Sequence, residues 1–159
     1  TLMAYQARGL EENGVIATYK HLIANNMEFE RKSAHGIIDE NTLRDLYLRV
    51  FDKAFSLYKP GCVMTSYNPV NGIYPCENSA LLNDLLRGEW GFDGFVMTDW
   101  GSYDTADSIR SVCAGTNLLT PGSKKHFRMI LKAVKRNEIS KAALQHSVKQ
   151  IVKVLVRCI

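Results

Sequence analysis

Asp99 stands directly behind the apolar run Gly94-Phe95-Val96-Met97-Thr98 and directly before Trp100-Gly101. A carboxylate at the mouth of a buried strand is held rigidly and can be aimed at a substrate. An aromatic beside it offers a flat apolar face to a sugar ring. Two other polar clusters close apolar stretches in the same manner: Lys20-His21 after Val15-Ile16-Ala17-Thr18, and Tyr67-Asn68 after Cys62-Val63-Met64-Thr65-Ser66. Lys20 and His21 carry N–H groups suited to ring hydroxyls. Arg31 has the planar fork that holds a carboxylate. Each of these, taken singly, also reads as a capped strand end or a surface ion pair. Three polar strand ends in one alternating chain point instead to a shared site.

The elements that must position them alternate between strand and helix. Asp39 is placed to cap a helix in which Leu43, Leu46, Tyr47, Val50, Ala54, Phe55 and Tyr58 recur at helical spacing up to Pro60. Asn68-Pro69 and Asn71-Gly72 carry turn chemistry. Residues 78–89 read as a further helix with Leu81, Leu82, Leu85 and Leu86 on one side. The run 94–98 reads as a strand buried on both faces. A helix over roughly 102–114, a short strand around Thr116-Leu119, and two closing helices complete the order. Ser140 caps the last of them, with Leu144, Val148, Ile151, Val152 and Leu155 expected inward.

Repeating strand–helix units predict an α/β fold with a parallel sheet, either doubly wound or a (β/α)₈ barrel. A glycine-rich phosphate loop is absent. Polar side chains gathered at strand ends favour the barrel, whose active sites are built at the C-terminal ends of several strands. About four such units are visible, half of what a closed barrel requires.

The 159 residues suffice for one domain. The apolar share of 46% and charged share of 23% are those of an ordinary globular protein. The net charge of +4 is dispersed, and the densest basic run, Lys124 to Arg136, reads as a solvated helix face, so nucleic acid is not an expected partner. Cys62, Cys76, Cys113 and Cys158 form no C-x-x-C pair and are expected to behave as small apolar residues, with no metal or other cofactor. No apolar run is long enough for a membrane span. The start lacks a signal-peptide pattern, so the expectation leans to a cytoplasmic setting. It reads as the inside of a helix (Leu2 to Ala7), as a domain cut from a longer chain would.

The stretch from Leu85 to Trp100, L-L-R-G-E-W-G-F-D-G-F-V-M-T-D-W, resembles the nucleophile segment of glycoside hydrolase family 3. Further stretches are similar to that family's segments in the same order: Lys20 to Arg31, Leu43 to Leu48, Val63 to Gly72, and Ala114 to Leu118. The resemblance covers nearly the whole chain. It implies the C-terminal half of a TIM-type (β/α)₈ barrel, residues 1–159 being part of the family's N-terminal domain. The other barrel half and the domain bringing the general acid/base are then partners expected from a longer chain.

Residue by residue, the resemblance makes Asp99 the catalytic nucleophile and Trp100 an aromatic wall of the sugar subsite. Lys20, His21 and Tyr67 become substrate-binding, while Glu28 and Arg31 support the site from behind. The implied activity is retaining hydrolysis of terminal, non-reducing β-D-glycosyl residues. The implied partner is a β-linked oligosaccharide or glycoside, needing no cofactor and involving no nucleic acid or membrane. Ile23-Ala24-Asn25-Asn26 stands where the N-acetylhexosaminidase branch has P-G-H-G, so the branch resembled is that of β-glucosidases and β-xylosidases. Leu22 replaces a usual Phe, and Asn117 a usual Asp expected near the barrel mouth. Without the missing parts the chain alone is expected to be inactive. The alternative is a sugar-binding remnant without turnover.

Overall fold

The computed structural model describes residues 1–157. Helix α1 (Leu2–Glu11) leads into strand β1 (Thr18–Leu22). A long helical stretch follows: α2 (Glu40–Thr42), a π-helical segment (Leu43–Leu48) and α3 (Arg49–Leu57). Strand β2 (Cys62–Thr65), a second π-helical segment (Ala80–Glu89) and strand β3 (Phe95–Met97) come next. The chain ends with α4 (Ser108–Cys113), α5 (Lys124–Lys135) and α6 (Lys141–Val156). The three strands form one parallel sheet in the order β1-β2-β3. The expected α/β alternation is therefore present.

Side chains alternate across the sheet. On one face Tyr19, Leu22, Val63 and Val96 meet Phe51, Phe55, Leu82 and Leu86 from the crossover helices. Phe55 is the hub, with its ring centroid 5.2 Å from Tyr19, 5.3 Å from Trp90 and 5.7 Å from Phe92. Edge-to-face and offset contacts of this kind add to the burial of the rings. On the other face Cys62 and Phe95 pack against Val154 of α6. Gly94 lets β3 approach β2, since a Cβ there would collide with the Gly61 carbonyl oxygen, which accepts from Phe95 N at 3.0 Å.

Several elements differ from the expectation, each for a local reason. Strand β1 begins at Thr18 because the preceding Ala17 N–H is taken by the Glu11 carboxylate at 3.1 Å. Asp39 caps as expected, accepting from Thr42 N. The π-helical turns then shift the helix phase, because i→i+5 bonding adds a residue to each turn. Leu46 (60% exposed) and Val50 (61%) consequently face outward, and Leu48 and Phe51 are buried. The helix expected over 102–114 breaks into a 3₁₀ turn (Ser102–Asp104) and α4, because Asp107 caps afresh, accepting from Ile109 N and Arg110 N.

The strand expected at Thr116-Leu119 is a single bridge, Met97 to Leu118. Its ladder is interrupted because Val96 N donates at 2.7 Å to the Asn117 side chain. Asn117 is thus not at a strand mouth. It lies beneath Arg87, whose guanidinium donates to its Oδ1 at 2.9 Å, and donates in turn to Ser147 Oγ at 3.1 Å. That contact, with the Lys153 and Arg157 pairs to Asp93, sets the rotation of α6. Ser147 and Val154 are buried, Leu144 and Ile151 half-buried, and Val148, Val152 and Leu155 face outward, contrary to expectation.

Burial pushes the Cys62 thiol up to about 12 and that of Cys76 to about 11, as for inert apolar side chains. Cys113 is exposed, and Cys158 lies outside the described residues. The face of α5 is mostly exposed, as expected for the basic run. No helix among the described residues is long and apolar enough to cross a membrane.

Leu86→Ala, which empties a fully buried position, is expected to cost about 2–5 kcal/mol in denaturant unfolding. Val50→Ala is expected to stay within about 0.5 kcal/mol. A comparable cost at Val50 would show that the helix packs in the unshifted phase.

Candidate active site

Parallel register brings the three strand ends to one level. Thr18 and Phe95 both pair with Cys62, and Leu22 with Thr65. The ends are also cross-tied beyond the ladder. Ser66 N donates to Leu22 O at 2.7 Å, Ser66 Oγ to Ile23 O at 2.6 Å, and Thr65 Oγ1 to Met97 O at 3.4 Å. His21, at the register shift near the end of β1, converges with Tyr67 and Asp99, which lie just beyond β2 and β3.

Asp99 is 8% exposed. Its Oδ1 accepts from Trp100 N at 2.7 Å, and its Oδ2 lies 3.4 Å from His21 Nε2. Neither oxygen is gripped by a Lys or Arg among the described residues, so the carboxylate keeps lone pairs for another task. Burial lowers the pKa of His21, opposing the Asp99 charge that raises it. The Tyr67 hydroxyl donates to Trp100 O, and burial followed by the Asp99 charge raises its pKa. Trp100 itself is 65% exposed, next in the chain to the buried carboxylate.

Arg31 places its guanidinium 4.5 Å from the Tyr67 ring centroid, the geometry of a cation–π contact, and donates to Glu28 at 2.9 Å. Asp99, His21, Tyr67, Trp100 and Arg31 are thus assembled, with Glu28 behind Arg31. Lys20 makes no side-chain hydrogen bond or ion pair with the cluster among the described residues. It is exposed and lines a cavity of about 470 Å³ with His21, Met3, Leu46, Tyr47 and Val50. It reaches the cluster through its charge, which lowers the pKa of His21.

The structure adds Lys32, which sequence reading passed over. Its ammonium lies 5.4 Å from the same Tyr67 ring and donates to Asp104 Oδ2 at 3.0 Å and to Gly101 O at 3.4 Å. The only signal was the doubled cation Arg31-Lys32. Ser66 and Thr65, which tie strand ends together, read in the sequence as ordinary strand residues. Near the site, Asn68 Oδ1 and Ser102 Oγ are buried without a hydrogen-bond partner. No group of three His, Cys, Asp or Glu suited to a metal ion occurs among the described residues.

A buried, loosely engaged carboxylate between an imidazole and a phenol, with an exposed indole next in the chain, can attack an electrophilic carbon of a ring stacked on the indole. Comparison with known proteins bears on which ring. The family model "Glycosyl hydrolase family 3 N terminal domain" matches residues 1–154. A probable beta-glucosidase I of Aspergillus flavus is 38% identical over 157 residues, covering 97% of this chain and 18% of that protein. Beta-glucosidase 3B of Thermotoga neapolitana, in complex with glucose, aligns with TM-score 0.89 and 38% identity over 95% of this chain and 22% of its own. A family 3 beta-glucosidase of Bifidobacterium adolescentis aligns with TM-score 0.91 and 32% identity over 98% of this chain and 23% of its own. The chain therefore spans about a fifth of the length of these relatives.

The His21 environment yields a titration test. With its folded pKa below the unfolded value, neutral His21 contributes stability above the unfolded pKa. That contribution is lost as pH falls through the window down to the folded pKa. Asp99→Asn is expected to lower the folded pKa further, and Lys20→Ala to raise it, as read from the imidazole ¹H–¹³C shifts. An unchanged His21 titration in Asp99→Asn would separate the two side chains.

Proposed function

The chain belongs to glycosyl hydrolase family 3, and on that premise we propose that it is the later half of the N-terminal (β/α)₈ barrel of a longer β-glucosidase. The three parallel strands would be consecutive barrel strands, with the Met97–Leu118 bridge the remnant of the next. The substrate is a terminal, non-reducing β-D-glucosyl unit. The glucose held by the Thermotoga neapolitana enzyme and the names of the fungal relatives support this choice.

One observation carries the reading: a buried carboxylate, Asp99, at the end of β3 with an exposed indole next to it in the chain. Stacked on Trp100, the glucosyl ring presents its anomeric carbon to Asp99. The carboxylate forms a glycosyl ester as the aglycone oxygen leaves, and water then cleaves the ester, so configuration is retained. His21 and Tyr67 flank the carboxylate, where they can meet ring hydroxyls, and Lys20 joins them once the barrel closes around it. Arg31, held by Glu28, supports the Tyr67 ring.

A retaining mechanism needs a second carboxyl group roughly 5–5.5 Å from the first to protonate the leaving oxygen. Glu28 and Asp104, on adjoining loops, are each paired with a cation, Arg31 and Lys32 respectively. The general acid is assigned to the part of the longer chain outside these residues, together with the barrel half that completes the grip on the sugar.

Asp99→Asn in the longer enzyme is expected to lower kcat by several orders of magnitude with the fold intact, since an amide does not attack. Retention of more than a few per cent of the activity would remove Asp99 from the nucleophile role. The chain alone is expected not to turn over an aryl β-glucoside whose leaving group needs protonation, a transfer that contributes about 10²–10⁴-fold. Steady turnover of that substrate, alongside an activated aryl glucoside as reference, would show that the chain carries its own acid.

A further inference from the structure

Trp100 is the member of the cluster that packing does not hold, its side chain being mostly exposed. Its direction depends on its backbone, which is tied on every side. Trp100 N donates to Asp99 Oδ1 at 2.7 Å, Trp100 O accepts from Tyr67, and Gly101 N donates to Thr120 O at 2.9 Å. Gly101 O accepts from Lys32 Nζ at 3.4 Å. The same ammonium donates to Asp104 Oδ2 at 3.0 Å, so a single side chain spans both ends of the turn that follows Trp100.

Lys32 is itself held in place. Its carbonyl accepts from the Tyr74 hydroxyl at 3.3 Å, and its ammonium lies near the Tyr67 ring beside Arg31. Gly101 takes a left-handed φ of 84°, and a Cβ there would stand 3.5 Å from both Lys32 Nζ and Asp104 Oδ2. The ammonium is seated closely against the turn. An exposed Lys–Asp pair alone contributes little to stability. This one also binds a backbone carbonyl and joins segments 72 residues apart, so its effect falls on geometry.

We propose that Lys32 is a positioning residue that clamps the Gly101–Asp104 turn and thereby fixes the Trp100 indole as the wall against which a pyranose ring rests. The proposal rests on the sugar-site reading of Asp99 and Trp100. The clamp acts through backbone and leaves the surroundings of Asp99 in place, since Arg31 still covers the Tyr67 ring when Lys32 is replaced.

The test uses the full chain with Trp90→Phe, which leaves Trp100 as its only indole. Lys32, Lys32→Met and Lys32→Arg forms are compared by fluorescence anisotropy decay and acrylamide quenching of Trp100, with and without glucose. Lys32→Met is expected to show faster local motion, greater quenching and roughly two- to ten-fold weaker glucose binding, the factor that one net hydrogen bond represents. Lys32→Arg is expected to restore all three. Asp104→Asn, which weakens the same tie from the other side, is expected to loosen the indole as well, and serves if Lys32→Met does not fold. Unchanged Trp100 motion in the substituted chains overturns the positioning role, whatever glucose does. A loosened indole restored by Arg supports the clamp even where glucose is silent in this chain. An unchanged KM for an aryl β-glucoside in Lys32→Met of the longer enzyme would then contradict Trp100 as the wall of the sugar site.

Discussion

Parallel pairing of three short strands, with one register shift in β1 between Tyr19 and Leu22, governs the rest of the molecule. Because Thr18, Cys62 and Phe95 start level, the chain leaves the sheet at the same height three times. His21, at the register shift inside β1, and Tyr67 and Asp99, just past the ends of β2 and β3, reach the same small volume. The ties from Ser66 to Leu22 and Ile23, and from Thr65 to Met97, hold these exits together beyond the ladder itself. A slip of one residue in β2 or β3 would turn the side chain that strand delivers to the opposite face.

What keeps the register is the apolar packing below it. Phe55 touches rings from β1 and from the turn before β3, so one helix side chain reports on both ends of the sheet. Gly94 allows β3 to lie against the entry to β2. Above this floor the loops carry the rest of the site, and they are secured by charge and aromatic contacts: Glu28 to Arg31, Arg31 and Lys32 to Tyr67, Lys32 to the turn after Trp100. A buried carboxylate and an exposed indole can therefore sit side by side, each placed by a different kind of force.

The helices and the strand ends were legible in the sequence wherever a single period or cap decides the outcome. Asp39 and Ser140 cap as their residue types require. Cys62–Thr65 and Phe95–Met97 are strands because short, uniformly apolar runs suit a sheet covered on both faces. Leu46 and Val50 misled because π-helical turns shift the phase, and nothing in the residue types marks them. Thr116-Leu119 misled because one side-chain amide, Asn117, takes a ladder position. The inward face of α6 was misjudged because polar ties from Asn117 and Asp93 outweigh its apolar stripe. In the site, the strand-end residues were visible as chemistry behind apolar runs. Lys32 was not, because its role depends on a contact with residues far along the chain.

The central claim is that Asp99 attacks the anomeric carbon, and covalent trapping addresses it most directly. A 2-deoxy-2-fluoro-β-glucoside with a leaving group that needs no protonation slows release of the glycosyl ester more than its formation. The longer enzyme would be incubated with this reagent, digested and mapped by mass spectrometry. The account predicts one fluoroglucosyl group, carried on the Asp99 carboxylate and removed by Asp99→Asn. A label on a different carboxylate, or turnover with inverted configuration and no adduct, would contradict it.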